Sequence, residues 1–293
     1  MIKKLSRIIF LFLNFFDFIL VKIFKKSFLV WFKDFYEQKS YKTVNLKKDK
    51  DNEKLTFFTP NYLTTWLVDD FFRKEPETIE WIENFEKKND KIIFWDVGAN
   101  IGLYSIYAAK IHKSIEVISF EPSTNNLRVL SKNIFANKLN SKIKIFQLPL
   151  SDQEFKFAEF KESQFNEGAS HNCFYYDMDF EGKKINIKNN YNIMGTSIRY
   201  ILDNNILDVP DYIKIDVDGI EHLILKGAGK HLLNTRIKNI QIEINENFKE
   251  HFETVVDILS KNGFKLKTKK RNESLKIYED KKFSKTFNYY FYR

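Results

Sequence analysis

The chain has 293 residues, of which 43% are hydrophobic, with only nine glycines and five prolines. This composition excludes a disordered or fibrous chain, and it supplies enough hydrophobic residues for the core of one large domain or two small ones. Its single cysteine, Cys173, excludes an internal disulfide and favours a reducing compartment, so we expect a cytoplasmic protein. The net charge of +9 comes mainly from lysine, since only seven of the 48 basic residues are arginine, and it does not favour nucleic acid as a partner.

Residues 1–35 carry short apolar runs that are interrupted by Asn14, Asp17 and Lys22. A membrane-spanning helix needs about 20 apolar residues without charges, so these interruptions argue against a transmembrane segment. On a helical wheel the polar residues fall on one side, which predicts an amphipathic helix. We therefore interpret residues 1–55 as a helical extension. Its helix is expected to dock on the catalytic domain or on a second subunit through residues 1–35, with peripheral contact to the inner face of a membrane as the alternative.

Residues 56–90 are predicted to form a helical segment that covers a cleft. Pro76 stands where a helix accepts its first residue, and Ile79, Ile82 and Phe85 follow at helical spacing up to Asn89-Asp90. A charged, turn-rich break at 47–54 precedes this segment.

From residue 91 to 293, apolar strand patterns alternate with helical ones. The predicted strands are 92–96, 115–120, 142–148, 212–216 and 237–244, and the predicted helices are 102–112, 124–137, 219–233 and 248–261. This alternation predicts an α/β fold with a mostly parallel sheet and helices on both faces. Strand-like runs at 264–268, 274–278 and 286–292 would add antiparallel edge strands. Residues 153–205 fit the alternation poorly and are interpreted as an insertion that forms a substrate lid.

The stretch 94–102, FWDVGANIG, is an apolar strand that ends in Asp96 and turns through Gly98 and Gly102 into a helix. The dinucleotide form of this turn has two further glycines, but here Asn100 and Leu103 take their places. A glycine that lets the backbone approach a pyrophosphate is thus missing, which favours S-adenosylmethionine, an adenosyl cofactor without phosphates. The alternative for each glycine is an ordinary strand-to-helix turn.

A second acid supports a cofactor site, because Glu121 ends the next strand where an open α/β sheet places an acid for ribose hydroxyls. Asp96 is expected to orient the turn and the amino group of the methionine moiety, and Asp152 to accept from the adenine amino group. The candidate cofactor-binding residues are Asp96, Gly98, Ala99, Asn100, Gly102, Glu121, Pro122, Ser151 and Asp152.

Two later strands also end in polar residues. Asp216 follows a buried strand directly over the expected cleft, and a buried acid needs a partner or a task. Asp218 and Glu221 have the spacing of a capping box, which would satisfy free helix amides without any catalysis. His222 is either a base near neutral pH or, as we favour, an exposed histidine in the first helical turn.

In this order and spacing, the strings FWDVGANIG, SFEPSTNN, LPLSD and YIKIDVDGIEHLILKGA resemble the FkbM-type S-adenosylmethionine-dependent methyltransferases, and the resemblance covers about 57–264. It implies a Rossmann-like class I methyltransferase with a seven-stranded sheet. It also implies methyl transfer to a hydroxyl oxygen of a glycan or secondary metabolite, with cofactor contacts at Asp96, Gly98, Asn100, Glu121 and Asp152. The chain departs from the family where an arginine is expected soon after Trp66.

Methyl transfer to a hydroxyl needs a base for the hydroxyl proton. Asp216 is the first candidate, and His222 and Glu243 follow. Alternatively, Asp216, Glu243 and Asn245 offer oxygen ligands for a divalent ion, although we favour catalysis without a metal.

Two other classes of function stay open at this stage. One is an NAD-dependent oxidoreductase or sugar epimerase, which the missing glycines disfavour. The other is a non-catalytic, membrane-associated assembly protein, which residues 1–35 favour. For the methyltransferase interpretation, the partner is a glycan or small-molecule acceptor.

Overall fold

The computed structural model describes residues 1–46, 53–86 and 91–293, which form two compact units, Met1–Lys42 and Thr43–Arg293. The predicted break at 47–54 and the predicted helix end at Asn89-Asp90 lie mostly outside the described residues. The predicted domain boundaries after residues 55 and 90 stay predictions.

The first unit contains two helices, α1 (Ile2–Phe24) and α2 (Phe28–Lys39). Asp17 of α1 joins them, because its carboxylate accepts hydrogen bonds from the Leu29 amide at 3.0 Å and the Ser27 hydroxyl at 2.8 Å. We call this pair of helices, Ile2–Lys39, the N-terminal hairpin. Among the residues that the structure describes, none of the helices has both the length and the apolar character to cross a membrane.

The second unit is built on a seven-stranded sheet, in the order β11-β12-β10-β9-β3-β4-β5. Its strands are β3 (Ile92–Val97), β4 (Ile115–Phe120), β5 (Ile143–Phe146), β9 (Tyr212–Ile215), β10 (Asn239–Asn245), β11 (Lys265–Lys270) and β12 (Thr286–Tyr292). The first five of these pair in parallel, and β12 is antiparallel to β10 and β11. Short β strands complete the unit: β1 (Tyr41–Asn45) and β2 (Lys54–Phe58), which pair with each other, and β6 (Lys156–Glu162), β7 (Asn172–Phe174) and β8 (Asn189–Gly195).

Helices cover both faces of the large sheet. They are α3 (Tyr62–Lys74), α4 (Pro76–Glu83), α5 (Leu103–Ile111), α6 (Thr124–Ala136), α7 (Ile198–Asp203), α8 (Glu221–Ala228) and α9 (Lys249–Lys261), with short 3-10 helices at Gly229–Leu233 and Lys276–Glu279. Alternate side chains of β3 enter two different cores. Phe94 packs with α3–α6, whereas Trp95 packs with α7–α9. The strand period of two thus explains why central strands are apolar on both faces.

The expected fold class, a Rossmann-like class I methyltransferase architecture with a mostly parallel seven-stranded sheet, is confirmed. The predicted strand at 274–278 is wrong, since this segment holds the 3-10 helix Lys276–Glu279, and in the described parts of the chain β11 and β12 form the antiparallel edge. The predicted helix 219–233 is also shorter, because Gly229 ends α8 with a positive φ of 54°.

Residues 153–205, interpreted from the sequence as an insertion, contain β6, β7 and β8, which form an antiparallel sheet in the order β7-β6-β8. The loop between β6 and β7 folds back towards the glycine turn. Asn126 of α6 fixes this loop, because its side chain accepts from the Gly168 amide at 2.8 Å and donates to the Ala169 carbonyl at 3.1 Å. A polar clamp therefore positions the loop next to the ends of β3 and β4.

Asn133 connects three elements of the second unit. Its side chain is fully buried, accepts a hydrogen bond from the Phe58 amide of β2 at 2.6 Å, and donates one to the Ile101 carbonyl of the glycine turn at 2.8 Å. Since buried backbone groups need partners, this one amide side chain holds β2, the turn and α6 together.

We predict that Asn133→Ala lowers the free energy of unfolding by about 3 kcal/mol, because it leaves a buried amide and a buried carbonyl unpaired. Urea denaturation measures this change. Ser131→Ala, on the exposed side of the same helix, is the matched control and should shift the free energy by less than about 0.5 kcal/mol. Equal midpoints for the two variants would contradict the role of Asn133.

Candidate active site

The glycine turn after β3 has three residues with left-handed backbone angles: Gly98 (φ 85°), Asn100 (φ 51°) and Gly102 (φ 86°). A Cβ at Gly98 would lie 1.9 Å from the backbone oxygen of Asp216, and a Cβ at Gly102 would lie 2.4 Å from Leu130 Cδ1. The glycines are required because the chain itself packs against the turn.

Asp96 is fully buried behind this turn. The Ser105 hydroxyl donates to its Oδ2 at 2.6 Å, and burial raises the pKa of Asp96. In the parallel pairing of β3 with β9, Asp96 is the partner of Lys214. Asp96 is not among the residues that line the cavity. Its predicted contact with the methionine amino group stays a prediction, and in this structure the side chain supports the turn from inside.

Glu121 follows β4 and is also buried, but it faces the cavity. Its carboxylate accepts from the Asn100 amide at 2.7 Å and from the Ser123 amide at 2.9 Å. Burial raises the pKa of Glu121 to about 8, although these backbone donors oppose the shift. A hydrogen bond therefore joins the glycine turn directly to Glu121, as expected for residues of one site.

A cavity of about 360 Å³ lies beyond the carboxyl ends of the parallel strands. Seven of the predicted site residues line it: Gly98, Ala99, Asn100, Glu121, Pro122, Asp216 and Glu243. Leu63, Trp66 and Phe71 of α3 cover one side, and the loop from Gly168 to His171 covers another. The structure therefore brings most of the predicted residues together at the edge of the sheet where α/β proteins bind ligands.

Five predicted residues do not line this cavity: Asp96, Gly102, Ser151, Asp152 and His222. Ser151 is fully buried, and its hydroxyl accepts from the Gln153 amide at 3.1 Å. The Ser151 backbone presses on α8, where a Cβ at Gly227 would approach its carbonyl oxygen to 2.0 Å. This segment packs against α8 and does not line the cavity, so the cofactor contacts of Ser151 and Asp152 stay predictions that the structure does not support.

His222 is buried among aromatic rings, and the expectation of an exposed histidine is wrong. Its ring centroid lies 5.0 Å from that of His251 and 5.9 Å from that of Tyr176. Burial, with the charge of His251, lowers the pKa of His222 to about 4. His222 is therefore a neutral core residue outside the cavity, and its proposed role as a base is corrected.

Asp218 and Glu221 have separate roles and do not form the predicted capping box together. Glu221 accepts from the Gly219 amide at 3.1 Å, which satisfies amides before α8, as expected. Asp218 instead reaches the loop that covers the cavity, where it accepts from the His171 amide at 2.7 Å and lies 3.3 Å from His171 Nδ1. Asp218 thus holds the covering loop.

Asp216 forms an ion pair with Lys214, whose Nζ lies 2.7 Å from Asp216 Oδ2 and whose side chain is only 1% exposed. Burial raises the pKa of Asp216, and the charges of Glu75 and Asp218 act in the same direction. Burial alone would lower the pKa of Lys214, but the charges of Asp216 and Glu75 raise it overall. Lys214 is therefore an ammonium ion under the floor of the cavity.

Glu75 brings a second ion pair to the same place. It connects α3 to α4, is 1% exposed, and has its Oε1 3.3 Å from Lys74 Nζ. Burial favours the neutral acid, yet Lys74 and Lys214 lower the pKa of Glu75 overall. Carboxylate oxygens of Glu75, Asp216 and Glu243 all lie within 4.8 Å of one another.

Glu243 differs from the other two acids because no hydrogen bond or ion pair holds its carboxylate among the residues described. Burial, together with the charges of Asp216 and Glu75, raises the pKa of Glu243 well above its ordinary value. Asn245, the other predicted ligand on β10, faces elsewhere and donates to the Lys282 carbonyl at 2.8 Å. The acidic cluster is therefore Glu75, Asp216 and Glu243, with Glu75 in the place where Asn245 was expected.

Sequence reasoning missed Glu75, Lys74 and Lys214 as site residues. A signal for Lys214 was present, since a lysine inside the apolar strand Tyr212–Ile215 must be buried and must find an acid. No comparable signal existed for Glu75, because it reaches Asp216 only through the packing of α3 and α4 on the sheet.

Comparison with known proteins gives the family. Residues 96–266 match the model of the Methyltransferase FkbM domain. A curated relative, methyltransferase sdnD of Sordaria araneosa, is 39% identical over 56 residues, which are 19% of this chain and 22% of that protein. The chain thus spans under a quarter of that relative's length.

Two solved structures show remote likeness. The fibrillarin pre-rRNA processing protein of Methanococcus jannaschii has 14% identity and a TM-score of 0.44, with 86% of this chain and 81% of that chain covered. TrmK of M. capricolum, in complex with S-adenosyl-homocysteine, has 14% identity and a TM-score of 0.41, with 73% and 66% covered. The family assignment rests on the domain model, which matches more than half of the chain: the protein belongs to the FkbM methyltransferase family.

Proposed function

We propose that the protein is an S-adenosylmethionine-dependent O-methyltransferase that acts on a hydroxyl of a glycan or secondary metabolite. One observation carries the proposal. The glycine turn, Glu121 and Glu243 all line the same cavity, and no ion pair holds the Glu243 carboxylate among the described residues. A nucleoside site and a base for a hydroxyl proton thus share one cavity.

The residues of the turn fit an adenosyl group. Asn100 Oδ1 is buried and has no hydrogen-bond partner in the described parts of the chain, so it can accept from a bound ligand. Glu121 offers carboxylate oxygens to ribose hydroxyls. When bound, the cofactor supplies a methyl group on a sulfonium, which is already activated for in-line displacement.

The charges of the cavity disfavour a dinucleotide. Among the described residues that line it, Lys74 and Lys214 are engaged by Glu75 and Asp216, and His171 lies against Asp218. A diphosphate would require free cations or the two further glycines of the dinucleotide turn, whose places are taken here by Asn100 and Leu103. The alternative of an NAD-dependent oxidoreductase or sugar epimerase therefore has less support than the methyltransferase.

We assign the role of base to Glu243 ahead of Asp216. Asp216 is held by Lys214, and an ion-paired carboxylate gives up basicity to its partner. Glu243 combines a raised pKa with a carboxylate that none of the described residues holds in an ion pair. Asp216 then positions the acceptor hydroxyl, since its oxygens lie within 4.8 Å of those of Glu243.

The walls of the cavity suit a polyhydroxylated acceptor. Aromatic side chains, including Trp66, Tyr104, Tyr278 and Phe283, line it together with the acidic cluster. Aromatic faces pack against the C–H faces of sugars, while carboxylates accept from hydroxyl groups. This combination supports a glycan or a glycosylated metabolite as the acceptor class.

We predict that S-adenosylhomocysteine binds and NAD does not, and that affinity for the former rises from pH 6 to about 8. Ribose hydroxyls bind the ionised form of Glu121, whose pKa of about 8 in the free protein means that ionisation costs binding energy at lower pH. Isothermal titration calorimetry across this range measures the effect.

Glu121→Gln is the control for this titration, and it should bind more weakly with little pH dependence. A flat profile in the unchanged protein, or binding of NAD alone, would remove the assignment of Glu121 and of the cofactor.

We predict that Glu243→Gln lowers the methyl-transfer rate by about 10²- to 10⁴-fold and leaves S-adenosylhomocysteine binding unchanged. In the unchanged enzyme the rate should rise with pH through a midpoint above the ordinary glutamate value of 4.5, because the neutral acid cannot accept a proton. Rates with a hydroxyl acceptor, measured against pH, test this. A variant that keeps the full rate would exclude Glu243 as the base.

We also predict full activity in the presence of a chelator. Lys74 and Lys214 already place two ammonium charges among the three carboxylates, so a divalent ion would have to displace them. Activity that is lost in EDTA and restored by magnesium would favour instead a metal bound by Glu75, Asp216 and Glu243.

A further inference from the structure

The N-terminal hairpin leaves its apolar side chains uncovered. None of the residues of α1 or α2 is buried, and Phe12, Phe15 and Trp31 are 68%, 65% and 59% exposed. Most of the exposed large apolar side chains in the described chain fall in this short segment. Such a concentration marks an interaction surface, because soluble proteins rarely expose contiguous apolar patches of this kind.

Many of the exposed side chains lie on one face of α1 and along α2. Along α1 they recur at helical spacing, and the members of this face are Leu5, Ile8, Phe12, Phe15, Phe16, Ile19 and Ile23. In α2, the rings of Phe28 and Phe32 lie 5.7 Å apart and those of Trp31 and Phe35 lie 6.5 Å apart, in an aromatic row. We call these side chains the apolar face of the hairpin.

Cations flank the apolar face, and hydrogen bonds from the start of α2 hold the one acid of α1. Between residues 1 and 33 the chain has seven cationic side chains: Lys3, Lys4, Arg7, Lys22, Lys25, Lys26 and Lys33. The one acid in that range is Asp17, whose carboxylate is occupied by the Leu29 amide and the Ser27 hydroxyl. The surface of α1 therefore presents aromatic and aliphatic groups with positive charge at both ends.

This charge pattern favours one partner for the apolar face over another. Two copies of the hairpin that met through the apolar face would bring their flanking lysines together, and like charges across an interface are unfavourable. Anionic headgroups would instead neutralise them, while the acyl region covers the phenylalanines. Trp31 and Tyr36 are also the residue types that prefer the boundary between headgroups and acyl chains.

We propose that the N-terminal hairpin lies in the plane of a lipid bilayer that carries anionic headgroups, with its apolar face inserted and its lysines at the phosphates. The hairpin does not need to span the bilayer for this. The proposal is independent of the methyl-transfer chemistry, because none of its residues belongs to the cavity.

Co-sedimentation of the full chain with vesicles tests the proposal. We expect the protein to sediment with vesicles of phosphatidylglycerol and phosphatidylcholine, much less with phosphatidylcholine alone, and less as salt is added. Phe12→Glu/Phe16→Glu should abolish sedimentation. Lys4→Gln/Lys26→Gln should weaken the partition coefficient about 25-fold, about fivefold for each lysine.

Matched controls come from the second unit. Phe135→Glu/Phe157→Glu changes two phenylalanines of comparable exposure, and Lys249→Gln/Lys265→Gln changes two exposed lysines; both should sediment like the unchanged protein. Binding of S-adenosylhomocysteine, measured in parallel, reports that each variant is folded and separates this test from that of the proposed function.

Two results would overturn the proposal. One is a protein that stays in the supernatant with anionic vesicles, whether as a monomer or as a dimer in light scattering, since the apolar face would then be covered by the chain itself or by a second copy. The other is a Phe12→Glu/Phe16→Glu variant that sediments as well as the unchanged protein.

Discussion

The close approach of two parallel strands determines the site. The backbone oxygen of Asp216, just after β9, stands where a Cβ of residue 98 would be, so only glycine allows β3 and β9 to end side by side. That contact places the cofactor turn against the segment that carries the acidic cluster. In a displacement reaction most of the rate comes from holding donor and acceptor in line, so this spacing is a chemical requirement as well as a packing one.

Charge balance is the second constraint on the cavity. Three carboxylates within 4.8 Å would repel one another strongly in a buried site, and the ammonium groups of Lys74 and Lys214 offset that repulsion. Burial raises the pKa of both Asp216 and Glu243, but only Asp216 of these two is ion-paired in the described parts of the chain. Because Glu75 and Asp216 are the ion-paired members, Glu243 is the group that is free to exchange a proton. The proposed role of Glu243 as the base therefore depends on the ion pairs that the two lysines form with the other acids.

The sequence predicted the features that depend on local pattern and on strand order. The alternation of strands and helices, the glycine turn and Glu121 were all visible, since parallel strands bring their carboxyl ends to one edge. It could not predict that Ser151 and Asp152 pack on α8 or that His222 lies in the core, because both depend on the path of the chain after β5. Nor could it place Glu75, which reaches the site across the packing of α3 and α4. The segment with the 3-10 helix Lys276–Glu279 was mistaken for a strand because Leu275 and Ile277 alternate with Ser274 and Lys276 in the sequence.

The central claim is that the cavity beside the glycine turn holds an adenosyl cofactor without phosphates and faces it towards Glu243. A crystal structure of the full chain grown with S-adenosylhomocysteine tests this most directly. The account predicts the nucleoside in the cavity, with ribose hydroxyls on Glu121 and the sulfur on the side of the acidic cluster. An adenosyl group found elsewhere, or a cavity that the ligand leaves empty at saturating concentration, would contradict it.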